Sequence, residues 1–241
     1  MNDSNPILYT IRPGDTLYNL ALIYGTTVQE IIDTNLALDP YNLQVGRQIY
    51  IYPRSNNPYD YWISINQVNL LQNMNVAWLE HILWTRMLLI SIAENLADLE
   101  PTKSRLLKNP KDIADIFRKY YGNNIANIIQ KLLTEHLVIG GDLITALKNG
   151  NQKLAQELNT KWYKNADDMA EAFSSINPFY PKEEIRHMLY EHLRLTTEEV
   201  SNRLKKDYAA DIRAYDKVQK EILQMSEFFV NGIVKQFPDL F

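Results

Sequence analysis

The sequence predicts a mainly α-helical protein, with a small β-α-α-β module at its N-terminus and an up-and-down helical bundle after it. Two observations lead to this prediction. The segment YTIRPGDTLYNLALIYGTT has the pattern of a strand, a turn and a helix, and the strand-like segment RQIYIYP closes the module at Pro53. From about Ser64 onward, apolar residues recur at helical spacing in long segments, which is typical of a helical bundle.

The domain organisation follows from where this periodicity changes. Residues 1–53 contain the N-terminal module. The next segment, PRSNNPYDYW, is rich in Pro, Asn and Ser and has no helical period, so residues 54–63 are predicted to be a linker. Residues 64–241 form the predicted helical domain, and a chain with 46% hydrophobic residues has enough apolar surface for a core.

Composition excludes several classes of function. The chain has no cysteine, so disulfides, cysteine-ligated zinc and iron–sulfur clusters are ruled out. A net charge of −4 without a basic stripe gives no support for a nucleic-acid partner. The N-terminus, MNDSNPILYT, lacks the pattern of a signal peptide, and no apolar run reaches the length of a membrane span. We therefore expect a protein made in the cytoplasm and without a membrane span.

Each element of the N-terminal module has a local cause. Tyr9–Ile11 is β-prone, and Pro13–Asp15 is turn chemistry that ends the strand. Leu17–Tyr24 has helical apolar spacing, after a capping position at Asp15 or Thr16 and before a stop at Gly25. A second short helix is predicted from Val28 to about Asn35, and the alternating segment before Pro53 is a strand.

Three pieces of this module, YTIRPGDTLYNLALIYGTT, VQEIIDTN and LQVGRQIYIYP, resemble a LysM domain in order and spacing across Tyr9–Pro53. The resemblance implies binding of N-acetylglucosamine-containing glycans, such as peptidoglycan, in a shallow groove between two loops. A single copy implies weak binding, because avidity needs several copies. The residues that the resemblance assigns to the groove are Gly14, Asp15, Thr16 and Leu17 in the first loop, and Asn35, Leu38, Asp39, Pro40, Tyr41 and Leu43 in the second.

The helical domain is predicted to begin with a central helix, Gln67–Leu99, which is apolar nearly all round from Trp78 to Leu96. It is either one helix or two with a break near Asn73–Asn75. The pair Gly140-Gly141 is expected either to kink a later helix or to admit a close neighbour. The boundaries of the remaining helices are predicted at Pro110, Gly150, Asn151, Pro181 and Pro238.

Three of the four histidines directly follow a glutamate, in LEHIL, TEHLV and YEHLR. Helical spacing places each of these histidines on an inward, apolar face of a different helix. Imidazoles that converge in a bundle core can hold one zinc, iron or manganese ion, and the last helix offers Asp211, Tyr215 or Asp216 as additions. A buried polar network without metal is the alternative. The candidate ligands are His81, His136, His192, Glu80, Glu135 and Glu191.

The primary functional hypothesis is a glycan tether. The module would bind peptidoglycan, and the bundle would bind protein partners or self-associate on the cell wall or spore envelope. The passages HILWTRMLLISIAENL, RLLKNPKDIADIF and MLYEHLRLTTEEV resemble the helical half of LysM proteins from spore-forming Gram-positive bacteria. That resemblance implies an envelope location and no activity.

The sequence leaves two alternative functions open. It also leaves open a phage particle as the location of the protein. The first is a metalloprotein with a Glu/His site in the bundle, targeted by the module. The second is a peptidoglycan-cleaving enzyme, for which Glu80, Glu135 and Glu191 are the candidate acids. Because nucleotide-binding, zinc-protease and serine- or cysteine-nucleophile motifs are missing from the sequence, a protein without enzymatic activity is favoured.

Overall fold

The computed structural model describes residues 6–35, 38–40, 42–53 and 64–241. The chain divides into two compact units, residues 1–68 and residues 69–241. The predicted linker at residues 54–63 lies outside the described residues.

The N-terminal unit has the predicted β-α-α-β order. Its elements are β1 (Ile7–Thr10), α1 (Leu17–Ile23), α2 (Val28–Thr34) and β2 (Gln48–Ile51). The two strands pair antiparallel, with Ile7 opposite Ile51 and Thr10 opposite Gln48. This pairing extends β1 two residues earlier than the predicted start at Tyr9, because strand ends depend on the partner strand as well as on local propensity.

Side-chain caps begin both short helices. The Thr16 hydroxyl accepts a hydrogen bond from the Asn19 backbone N–H at 3.1 Å. Thr27 and Glu30 form a reciprocal capping box at the start of α2. These local devices hold the short helices over a small apolar core, which consists of Ile11, Leu17, Leu20, Ala21, Ile31, Leu38, Ile49 and Ile51.

The second unit is helical, and its helices pack in chain order, α5 on α6, α6 on α7 and α7 on α8. Gly122 interrupts α5 with a non-helical φ of 78° and ψ of 178°, so this element consists of two helical segments. The helices are α3 (Ile65–Glu94), α4 (Leu99–Leu106), α5 (Asn109–Lys148), α6 (Gln152–Ile176), α7 (Lys182–Leu204) and α8 (Tyr208–Gln236), followed by a short 3₁₀ turn at Pro238–Leu240.

The central helix α3 is continuous through the polar stretch where a break was considered. Met74 is fully buried there, and the Ser226 hydroxyl donates to Asn75 Oδ1 at 2.7 Å, so tertiary packing holds the helix across this stretch. The helix ends five residues before the predicted Leu99. Asn95 adopts a left-handed φ of 56° at that point, and the Leu96 N–H bonds back to Ser91 O, as in a Schellman motif.

Within the part of the chain that the structure describes, α3 alone is long and apolar enough to cross a membrane by length and composition. Of its most apolar stretch, 44% is buried inside the protein. A core helix of a helical domain passes the same test, so composition does not by itself assign α3 to a membrane.

Candidate functional site

The structure brings three of the predicted site residues together in the helical unit. His81 on α3, His136 on α5 and His192 on α7 are 2–5% exposed. Their ring centroids form a nearly equilateral triangle with sides of 5.8, 5.9 and 6.1 Å. Each residue offers one ring nitrogen, and these three nitrogens all lie within 4.8 Å of one another. We call these three residues the histidine cluster.

The tautomer of His81 is set by Asn109, the first residue of α5. Asn109 Nδ2 donates to the Ala77 carbonyl at 2.7 Å, which turns its Oδ1 toward the His81 ring. That oxygen lies 3.0 Å from His81 Nδ1 and can only accept, so Nδ1 carries the proton. The unprotonated Nε2 of His81 is therefore its available ligand atom.

Glu221 on α8 orients His192 in the same way. Its Oε2 lies 2.8 Å from His192 Nδ1, and both side chains are buried. A carboxylate oxygen accepts here, so Nδ1 is the donor and Nε2 is left as the ligand atom. A carboxylate on the outer nitrogen of an imidazole is the usual partner of a metal-binding histidine.

His136 is the least satisfied member of the histidine cluster. Trp162 packs on its ring with a centroid distance of 5.2 Å and donates to the His136 carbonyl at 3.1 Å. Within the described residues, neither His136 Nδ1 nor Asn165 Oδ1 has a hydrogen-bond partner, although Asn165 lies close enough to act on the His136 ring. A buried polar atom left unpaired costs about 1–3 kcal/mol, and this cost is removed here either by an N–H of His136 that donates to Asn165 Oδ1 or by a further group at the ring.

Burial disfavours the charged forms of His81 and His136. Loss of solvent lowers the pKa of His81 to about 3, and repulsion from His192 adds to the effect. Burial also lowers the pKa of His136 well below the usual range, and the other two histidines lower it further. At neutral pH these two rings carry free lone pairs, which is the state that a metal ion requires.

The structure does not bring the three neighbouring glutamates to the cluster. Adjacent residues on a helix point about 100° apart, so an inward histidine sends its glutamate toward the surface. Each glutamate there faces a cation. The oxygen–nitrogen distances are 2.9 Å from Glu80 to Arg105, 3.8 Å from Glu135 to Lys131, and 2.7 Å from Glu191 to Arg194.

Sequence reasoning missed Asn109 and Glu221. Asn109 precedes Pro110 at a predicted helix boundary, and Glu221 is one of several polar residues on the predicted last helix. Neither has a spacing that relates it to a histidine. Of the residues considered on that helix, Asp211 faces Arg86 instead, with Oδ1 2.9 Å from the guanidinium.

A buried ion network lies on α3, α7 and α8. Arg86 bridges Glu199 and Asp211, and the Arg86 guanidinium stacks over the Tyr215 ring at 4.6 Å. Burial raises the pKa of Glu199 to about 7, against the opposing effect of Arg86. His192 lowers the pKa of Glu199, so the ion network is electrostatically coupled to the histidine cluster.

In the N-terminal unit, the first predicted loop is partly on the surface. Gly14 is exposed with a φ of 86°, a backbone conformation that favours glycine. Asp15 Oδ2 accepts from the Tyr9 hydroxyl at 2.8 Å and from the Arg12 backbone N–H at 2.7 Å, so it fixes the turn. Thr16 caps α1, whereas Leu17 is 3% exposed and belongs to the core.

The second predicted loop also divides into core and surface residues. Asn35 is buried, and its side chain bonds to the Tyr50 backbone N–H and carbonyl, both at 2.7 Å. Leu38 is buried as well. Asp39 is exposed, Pro40 and Leu43 are half-buried with Leu43 packed against the small apolar core, and Tyr41 lies outside the described residues.

Comparison with protein families matches residues 9–51, which run from the second half of β1 to the end of β2. Residues 9–51 are a LysM domain. The match supports binding of peptidoglycan or another N-acetylglucosamine-containing glycan by this unit. The comparisons with curated proteins and with solved structures gave no match.

Proposed function

We propose that this protein is a glycan-anchored metalloprotein. The LysM domain binds an N-acetylglucosamine-containing glycan of a cell wall or spore envelope, and the helical unit holds one divalent transition-metal ion on His81, His136 and His192. The observation that carries the proposal is the convergence of three buried ring nitrogens within 4.8 Å of one another.

A hydrogen-bond network without metal explains this convergence less well. Asn109 and Glu221 accept hydrogen bonds from the Nδ1–H groups of His81 and His192, so both rings have a lone pair on Nε2. These two lone pairs need a donor or a cation. One water molecule can donate to both, whereas a metal ion binds them and a nitrogen of His136 at once.

The ligand type narrows the choice of metal. Neutral imidazole suits zinc and iron(II), whereas manganese prefers carboxylate and water oxygens. Since the three neighbouring glutamates face outward, we favour zinc or iron(II) over manganese. In a tetrahedral zinc site with Zn–N bonds of about 2.0–2.1 Å, ligand nitrogens stand about 3.4 Å apart. The rings would therefore move slightly inward on binding.

The third hypothesis, a wall-cleaving enzyme, receives less support. A glycosidase needs a protonated acid in a cleft, with its pKa raised toward neutrality. Glu191 has the opposite environment, because its hydrogen bond with Arg194 lowers its pKa. Glu80 and Glu135 form surface ion pairs with Arg105 and Lys131.

Metal analysis tests the proposal directly. Full-length, tag-free protein is incubated with zinc or, anaerobically, with iron(II), desalted, and analysed by inductively coupled plasma mass spectrometry. We expect about one ion per chain in the wild type and in His187→Ala, which alters an exposed histidine outside the cluster. The ion should be lost in His136→Ala and His192→Ala variants that keep their helical circular dichroism. Wild-type protein that retains neither metal would overturn the proposal.

The glycan part is tested by sedimentation with insoluble peptidoglycan. The wild type should co-sediment, and soluble chitin oligomers should compete with it. Leu43→Asp, which places a charge in the second loop, should reduce the bound fraction several-fold. Asp33→Asn, an exposed change on α2, serves as the matched control. Equal binding by Leu43→Asp and the control would remove Leu43 from the proposed groove.

A further inference from the structure

We infer that the metal centre keeps an open coordination position that binds water or a small exogenous anion. This inference rests on the metal site proposed above and concerns what that site can do. Structural zinc sites are closed by four protein ligands, whereas catalytic sites have three protein ligands and one exchangeable position.

The first argument is the number of protein ligands. Among the described residues, the group of ligand atoms contains three histidines and no carboxylate. Glu221 contacts the cluster through Oε2 at His192 Nδ1, while its buried Oε1 has no hydrogen-bond partner among the described residues and is not part of the group of ligand atoms. Nδ1 and Nε2 lie on different edges of the imidazole ring, so a group bonded at Nδ1 supports the ligand from behind. Asn109 stands in the same relation to His81.

The second argument is the character of the walls. Two tryptophans pack on the cluster, Trp78 at 5.6 Å from the His81 ring and Trp162 at 5.2 Å from the His136 ring. Indole has an N–H donor and no acceptor, so neither tryptophan can ligate a metal ion. These walls exclude a fourth protein ligand on their sides and leave the fourth position to a small molecule.

The third argument is a set of buried polar atoms without a partner in the part of the chain that the structure describes. Trp78 Nε1 is such a donor, and Asn165 Oδ1 is such an acceptor. The Thr196 hydroxyl, one helical turn after His192, is a third. Unpartnered buried groups are rare in folded proteins and often mark the place of a water molecule or an ion. A metal-bound water can donate to such an acceptor, and a metal-bound anion can accept from such a donor.

A groove between α5 and α6 is the route that we assign to the exogenous ligand. Its volume is about 590 Å³, which is in the range of small-molecule sites. Asn165 lies in its lining and also acts on the His136 ring, so this side chain links the groove to the histidine cluster. The other lining residues include Thr134, Val138, Ile139, Thr160 and Lys164.

Cobalt substitution with azide as the probe tests the open position. The full-length protein is loaded with Co²⁺, and its visible absorption is recorded during a titration with sodium azide, with sodium perchlorate at equal concentration as the control for ionic strength. We expect a saturable change in the cobalt bands with azide and none with perchlorate. Cobalt protein whose bands do not respond to azide would overturn the open position and leave the metal site standing. A wild-type protein that binds no cobalt would overturn both.

Glu221→Gln separates an outer partner from a ligand. As an outer partner, Glu221 tunes the basicity of His192, so the variant should bind cobalt about 10- to 100-fold more weakly with unchanged band positions. It should also still respond to azide. If Glu221 were the fourth ligand, the substitution would shift the cobalt bands of the azide-free protein, and this result would contradict the inference. Glu191→Gln, which alters a surface ion pair, is the matched control.

Discussion

The buried state of His81 predicts a specific acid sensitivity of the metal-free protein. The pKa of His81 is about 3 in the folded state and 6.5 as the reference value of an unfolded chain. Between pH 6.5 and pH 3, His81 is therefore protonated in the unfolded state and neutral in the folded state. The free energy of unfolding decreases as the pH falls below 6.5. The contribution is fully present above pH 6.5 and declines continuously toward pH 3.

The magnitude follows from the size of this window. At pH 5.0, about 1.5 units below the unfolded pKa, protonation of His81 favours the unfolded state by about 2 kcal/mol, since one pKa unit corresponds to about 1.36 kcal/mol. Glu199 acts in the opposite direction. Its pKa is raised to about 7, so the folded state gains a proton on acidification. The pH dependence of the unfolding free energy of the wild type therefore contains the contributions of both His81 and Glu199. A variant is needed to isolate the contribution of His81.

His81→Asn provides that comparison, because an asparagine amide can still donate to Asn109 Oδ1. Urea unfolding is followed by circular dichroism at pH 7.5 and pH 5.0 in the presence of a chelator. On going to pH 5.0, the wild type should lose about 2 kcal/mol more than the variant, while His187→Asn should behave like the wild type. A difference below about 0.5 kcal/mol would mean that His81 is protonated in the folded protein, and the argument for a neutral His81 ring would fail.

Two further predictions concern packing and charge in the helical unit. Arg86→Met leaves the buried carboxylates of Glu199 and Asp211 without their shared cation, so it should lower the unfolding free energy by about 3–5 kcal/mol in a urea titration. Arg194→Met removes a surface ion pair and should cost at most about 1 kcal/mol in the same titration. Gly232→Ala places a methyl group 1.9 Å from the Tyr180 ring, so it should lower the unfolding free energy by about 1–3 kcal/mol or more. Gly141→Ala places a methyl group 3.5 Å from Leu88, which is an ordinary contact, so it should leave the unfolding free energy unchanged or raise it slightly. Equal thermal midpoints for the two alanine variants would contradict the tight packing at Gly232.

Much of the fold is readable from the sequence, because its signals are local. The turn at Gly14, the caps at Thr16 and Asn151 and the stop at Gly25 act within a few residues, and each appears in the structure. Periodicity likewise places His81, His136 and His192 on inward faces, since the direction of a side chain on a helix depends only on its position in the turn.

Other features depend on partners that are distant in the chain. The sequence leaves open whether α3 is broken, and packing of Met74 and the contact between Asn75 and Ser226 keep it continuous. The pair Gly140-Gly141 admits a close neighbour rather than a kink, because a Cβ at Gly140 would lie 3.3 Å from the Trp162 ring.

By itself, the sequence determined the LysM domain, the helical character of the rest and the inward direction of three histidines. It also named their neighbouring glutamates as ligands, because adjacency is visible in a sequence. Only the tertiary structure decided that the three rings meet at one depth and that Asn109 and Glu221 hold them. The depth of a residue in a bundle depends on how helices cross, and hydrogen bonds between residues 28 or 29 positions apart follow from that crossing and not from local spacing.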